Sequence, residues 1–271
     1  VAVTSADTLA NRLPRAGLLG AWLRAWRTGL VPLDDVVTVV TAGDGEHLVI
    51  GLADGAETVL APPGLDAVPL KAGLAAFSRV TPDGIRVVLP APGDPRGLPP
   101  RHPFAAAALT AGEALVIGDT GLVPEPEERR SGSGDIWQTV TWRGFGGLPA
   151  TGPDPLPVGD ADRELLEALH AATAELVRLD VARWRPEIGG ALDGIRRVGT
   201  VEALPPGFDQ RARQLLARSS TVAGAVALAV ADGVDGSVSA REGGARADAL
   251  RLLGIAARRA MIAAFNAPLV G

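Results

Sequence analysis

The chain has 271 residues, 47% of them hydrophobic and 21% charged, with a formal net charge of −5; this is a globular composition, long enough for one large domain or two modest ones. The absence of cysteine excludes disulfides, thiol nucleophiles, iron–sulfur clusters and cysteine-ligated zinc. The acidic balance argues against nucleic acid as a partner, which would call for a basic stripe.

Membrane partners are also disfavoured. The longest apolar run, TVAGAVALAVA at 221–231, falls short of the ~20 residues that span a bilayer. The N-terminal stretch VAVTSADTLANRLPRAGLLG lacks the charged region and apolar core of a signal peptide, and a cytoplasmic home is expected.

Residues 5–30 read as a helix interrupted early by Pro14. Leu19, Trp22, Leu23, Trp26 and Leu30 share one face at helical spacing. Arg24 and Arg27 flank that stripe, and a core-facing helix with snorkelling arginines accounts for them better than a membrane-surface helix.

The period changes from 34 to 142. DVVTVV (35–40) and HLVIGL (47–52) are β-rich runs separated by the turn signal TAGDGE. ETVLAP (57–62) reads as a further strand, Pro69 opens a short helix, and IRVVLP (85–90) reads as a buried strand. FAAAALTAGEA (104–114) is expected as a helix, followed by a strand in LVIGD and a last strand in DIWQTVTW. Between these last two, GLVPEPEERRSGSG (121–134) reads as an exposed, mobile loop. Trp137 and Trp142, five apart on one strand, fall on opposite faces.

The stretch RGFGGLPATGPDPLPVGD at 143–160 separates this sheet region from a helical remainder. Helices are expected over 160–185, 208–231 and 245–266. The first carries Leu165, Leu169, Ala172, Leu176 and Leu179 on one seam. The third carries Leu250, Leu253, Ala257, Ala260 and Ala264. The expected class is therefore α+β: a mixed, mostly antiparallel sheet with flanking helices over 1–150, and a helical bundle over 151–271. Packing of the two as one unit is left open.

The strongest site candidate is the loop LPAPGDPRGLPPRHP at 89–103. It joins a strand to a helix whose free N–H groups suit an anion. Arg96 and Arg101 could add donors for a phosphate or carboxylate, with His102 beside them and Asp94 to orient it. The competing structural reading pairs Asp94 with Arg96 and uses His102 as a helix cap.

Other chemistries have little support. No G-x-S-x-G elbow occurs, and His47, His102 and His170 show no zinc spacing. SGSGD and RGFGG match neither phosphate-binding glycine pattern, and the single lysine, Lys71, follows no such loop. No metal or cofactor is expected. ADGVDGSVSARE at 231–242 fits a calcium loop only in its second half, and a turn with a capping box is the simpler reading. Arg183, Trp184 and Arg185, at the end of the long helix, form a candidate protein contact, since Trp and Arg often dominate interface energy.

LPAPGDPRGLP, FAAAALTAGEA, LDVARWRPE and ARRAMIAAFNAP together resemble an uncharacterised family of proteins from high-GC Gram-positive bacteria, over about residues 10–268. The resemblance implies a bacterial protein and no activity, cofactor or catalytic residue. The expected function is a non-catalytic binding or assembly protein forming a homo-oligomer. The alternative is an enzyme or sensor for a small anionic ligand at Asp94, Arg96, Arg101 and His102.

Overall fold

A computed structural model of the chain describes residues 13–52, 67–149, 156–178, 203–232 and 240–270. The chain divides into two compact units. One comprises Pro14–Asp154, Leu204–Phe208 and Pro268–Gly271; the other comprises Val1–Leu13, Pro155–Ala203 and Asp209–Ala267.

The first unit is built on a six-stranded sheet. Its helices are α1 (Arg15–Arg27), α2 (Leu33–Val40), α3 (Leu70–Ala75) and α4 (Pro103–Ala111). Its strands are β1 (His47–Ile50), β2 (Val68–Pro69), β3 (Ile85–Val88), β4 (Ala114–Ile117), β5 (Thr120–Arg130) and β6 (Ile136–Phe145). They lie in the order β2-β1-β6-β5-β4-β3. Only β1 against β6 is parallel; the other pairs are antiparallel. The fold is α+β with a mixed, mostly antiparallel sheet, as the sequence pattern indicated.

Burial along β4 shows how the layers are made. All four residues of the ALVI strand are buried, because both faces of the sheet are covered there. On one face α1 presses so close that a Cβ added at Gly20 would stand 2.6 Å from Val87 and 2.8 Å from Leu115. On the other, Phe104 and Ala108 of α4 pack with Val88, Val116 and Val123. A Cβ at Gly121 would meet the Phe104 ring at 2.4 Å, so the glycine is what lets α4 seat.

Two expectations are corrected here. DVVTVV is helical, not a strand: Pro32 sits at the N-cap of α2 and Asp34 and Asp35 occupy its first turn, where acidic side chains favour the helix. The buried pair Val36 and Val40 is four apart, a helical interval rather than an alternation. The GLVPEPEERR part of the expected loop is strand β5, paired with β6 from Gly121↔Phe145 to Arg130↔Ile136. Its prolines are compatible with a strand because they sit where the β5–β6 ladder needs no donor.

The first helix carries most of its predicted stripe inward, with Leu19, Trp22 and Leu23 buried; it ends at Arg27 rather than at residue 30, so Leu30 falls beyond it and is exposed. Arg24, expected at the rim of that stripe, is only 5% exposed; burial lowers its pKa, with Asp83 countering in part. Arg27 stacks 5.0 Å from the Trp26 ring centroid and donates to the Val80 carbonyl. Trp142 is fully buried while Trp137, on the other face of β6, is 39% exposed. ETVLAP lies outside the described residues.

The second unit contains α5 (Val158–Arg178), α6 (Gln210–Asp232) and α7 (Ala240–Phe265), a bundle in which α7 packs on both α5 and α6. The predicted α7 seam of Leu250, Leu253, Ala257, Ala260 and Ala264 is buried throughout. Its alanines leave room for close helix approach. Arg218–Asp162 and Arg259–Glu164 ion pairs tie α6 and α7 to α5. Among the described residues one helix, Gln210–Ala231, is long and apolar enough to cross a membrane by length and composition.

Candidate functional site

The 89–103 loop is held by backbone bonds that its sequence dictates. Asp94 and Ala91 exchange N–H···O bonds of 2.8 and 3.2 Å around Gly93, whose φ of 81° is a value glycine takes without cost. The Arg96 guanidinium grips the Asp94 carboxylate with both arms, at 2.6 and 2.8 Å. His102 is the N-cap of α4: its Nδ1 accepts the Phe104 N–H at 3.2 Å, with Pro103 in the first helical position. Arg101 is exposed and has φ of 61°, the one positive φ outside glycine among the described residues.

The structure therefore joins Asp94 to Arg96 and aims His102 at the helix start. Arg101 takes part in neither of these contacts. Arg183, Trp184 and Arg185, together with residues 233–239 of the calcium-like stretch, lie outside the described residues. Among the described residues no group of three or more His, Asp or Glu side chains could hold a metal ion.

Sequence reasoning missed a second polar cluster, on the α1 face of the sheet. The indole N–H of Trp142 donates to His47 Nδ1 at 3.3 Å. Because an indole can only donate, Nδ1 must accept, so the imidazole proton rests on Nε2. That nitrogen faces Asp44 Oδ2 at 3.3 Å. Arg15 closes the chain, with Nε and Nη2 each 3.2 Å from the Asp44 carboxylate, and Nη2 also donates to Gln138 Oε1.

His47 and Asp44 are almost fully enclosed, and both imidazole nitrogens are occupied. A base needs a lone pair within reach of a substrate proton, and this histidine has none to offer. The cluster is a structural joint between α1, the turn before β1, and β6. The clue was parity: His47 shares its strand face with Val49 and, across the ladder, with Val140, all buried.

A third polar contact lies close by. Glu113, between α4 and β4, turns its carboxyl onto the first turn of α1, accepting the Ala16 N–H at 2.7 Å. Pro14, the N-cap of that helix, supplies no side-chain cap, so Glu113 fills the role from a distant segment. Burial of the carboxyl raises its pKa to about 7, opposed by the Ala16 N–H, the Arg15 charge and the Arg15 N–H.

A family model described as the N-terminal domain of an Rv1486c-like protein matches residues 16–155, and one for the C-terminal domain matches 159–262. "Uncharacterized protein Rv1486c" of Mycobacterium tuberculosis is 28% identical over 284 aligned residues, covering 92% of this chain and 95% of that protein. "Uncharacterized protein MAV321" of Mycobacterium avium is 36% identical over 105 residues, 34% of each chain; the match spans about a third of that relative's length. No solved structure matches the chain. With both domain models matched in order, and with mycobacterial relatives alike in sequence, the chain belongs to the Rv1486c-like family, an uncharacterised actinobacterial family.

Proposed function

We propose that this chain is a non-catalytic, cytoplasmic binding or assembly protein that self-associates through its helical unit. The observation that carries the reading is α6. From Thr221 to Ala231 it bears no charge on any side, yet only 28% of its most apolar window is buried. Val230 is 57% exposed, and Leu252 on α7 is 56% exposed. Exposed apolar surface on this scale marks interaction sites more often than chance placement does. The polar clusters of the sheet unit support the non-catalytic part, because their histidines and carboxylates are spent on one another or on backbone groups.

Sedimentation of the full chain over a range of concentrations tests this. Self-association should appear as mass above the monomer that falls on dilution, and Val230→Glu with Leu252→Glu should abolish it. A wild-type chain that stays monomeric at high concentration overturns the reading.

A second reading, an enzyme or sensor for a small anionic metabolite at the 93–103 loop, draws on one observation. Arg101 holds a left-handed backbone beside the start of α4, a conformation that costs free energy and concentrates at functional positions.

A further inference from the structure

Ser133 stands in the turn between β5 and β6, three residues after Arg130 and four after Arg129. The chain is exposed from Gly132 to Trp137, and a Cβ added at Gly132 or Gly134, on either side of the serine, would meet nothing within 4 Å. The Ser133 hydroxyl lies 2.7 Å from Asp135 Oδ2 and 2.6 Å from Ser131 Oγ. The turn is closed by the Ser131 N–H on the Asp135 carbonyl, at 2.9 Å, and the Gly134 N–H on the Ser131 carbonyl, at 3.1 Å. Opening it breaks bonds that water replaces and draws no core residue outward. Arg129 and Arg130 pair with Glu127 and Glu128, but these four side chains are 44–66% exposed, and such pairs hold weakly in water. Both guanidinium groups can turn to a stronger acidic partner.

Three hydroxyls of the chain follow an arginine by three residues: Ser133, Thr200 and Thr221. Thr200 lies outside the described residues. Thr221 is half-buried inside α6, its hydroxyl donating to the Ala217 carbonyl, and presenting it would mean unwinding the helix. Ser131 has Glu128 at that distance, and its Oγ accepts the Asp135 N–H at 3.0 Å. Among the described residues, Ser133 is the hydroxyl that joins the arginine spacing to an exposed turn.

We propose that Ser133 is a phosphorylation site, read by a serine/threonine kinase whose acidic substrate groove selects arginine three residues ahead of the target. Charge patterns of this kind are how kinases choose substrates. Ser133 Oγ attacks the γ-phosphorus of a nucleoside triphosphate. The Oγ–P bond forms, the bond from that phosphorus to the bridging oxygen breaks, the hydroxyl proton passes to the kinase's carboxylate base, and the nucleoside diphosphate leaves. The product opens the turn. A hydroxyl that donates to Asp135 becomes a group carrying about −1.5 to −2 charges at pH 7 with no hydrogen to donate, and it repels the carboxylate beside it.

Incubation of the full chain with ATP, Mg²⁺ and the catalytic domain of a kinase that requires this arginine, followed by peptide mass mapping, tests the assignment. One phosphoryl group should appear, on Ser133, and Ser133→Ala should remove it. Arg130→Gln should slow incorporation about tenfold or more, the loss of one hydrogen bond between charged groups. Arg251→Gln, an exposed site on α7 with Gly254 three residues on, should leave the rate unchanged. Label on Ser131, Thr200 or Thr221 in place of Ser133 overturns the proposal, as does a chain that takes up none, or an Arg130→Gln variant labelled as fast as wild type. Hydrogen exchange at the Asp135 N–H should quicken in the phosphorylated chain; an unchanged rate would mean that the turn stays closed, and would sink the opening.

Discussion

The indole of Trp142 donates to Nδ1 of His47 across 3.3 Å, with both side chains sealed from solvent. The bond fixes the histidine tautomer, and through it the line Trp142–His47–Asp44–Arg15 ties β6 to α1. Trp142→Phe should cost roughly 2–4 kcal/mol, combining an unpaired buried acceptor with the void left by the lost ring. Its effect should not add to that of His47→Ala, because residues in one hydrogen-bonded network couple by about 0.5–3 kcal/mol. Urea midpoints of the two single variants and the double variant check this. Strict additivity would mean that the bond carries no energy. Ile136→Thr, on the same face but more than half exposed, should stay within about 0.5 kcal/mol of wild type.

The periodic elements were legible because burial imposes their spacing. The α7 seam, the α1 stripe and the opposed tryptophans of β6 follow from 3.6- and 2-residue repeats alone. DVVTVV misled because valine-rich composition outvoted the acidic first turn and the four-residue interval between Val36 and Val40. The PEPEERR stretch misled because a proline in a strand is excluded only when its nitrogen faces a partner. Of the Asp44–His47–Trp142–Arg15 cluster only the inward parity of His47 was there to read; its partners were not, since the members lie up to 127 positions apart, Arg15 to Trp142, and meet only through the parallel pairing of β1 with β6. The Glu113 cap was hidden for the same reason: the Ala16 N–H it accepts lies 97 residues earlier.

The 89–103 loop offers a test of the anion reading against the structural one. His102→Ala should cost about 1 kcal/mol, the usual worth of a helix cap. Arg96→Ala should cost less than about 1 kcal/mol, because the Arg96 side chain is half exposed and water screens its pair with Asp94. A thermal-shift series with phosphate, nucleotides and small carboxylates then asks whether any anion raises the melting temperature, as binding to the native state must. If one does and Arg101→Ala removes the shift, the loop binds it. If no anion moves the wild type, the anion-site reading is wrong and the loop is a stiff connector.

The outer edge of β5 bears on how the protein avoids unwanted pairing. Val140 donates its N–H to Glu46 at 3.0 Å, toward β1 and therefore away from β5. Its partner across the ladder is Pro126, and Trp142 likewise stands opposite Pro124. These are non-hydrogen-bonded pairs, so both prolines turn their nitrogens away from β6, beyond the start of β4; Pro124 is buried there, while Pro126 stands exposed at the open edge. A proline placed as Pro126 is denies a donor to any incoming strand, and the charges of Glu127, Glu128, Arg129 and Arg130 add to the barrier. Pro126→Thr restores one outward N–H group without disturbing the β5–β6 ladder. The variant should keep its stability to within about 1 kcal/mol, threonine being at home in a strand, and should scatter light at concentrations where the wild type is clear. Should it remain as soluble as the wild type, the proline is not an edge guard. Should it lose several kcal/mol instead, the nitrogen must face the sheet, and the pairing parity derived from Val140 is wrong.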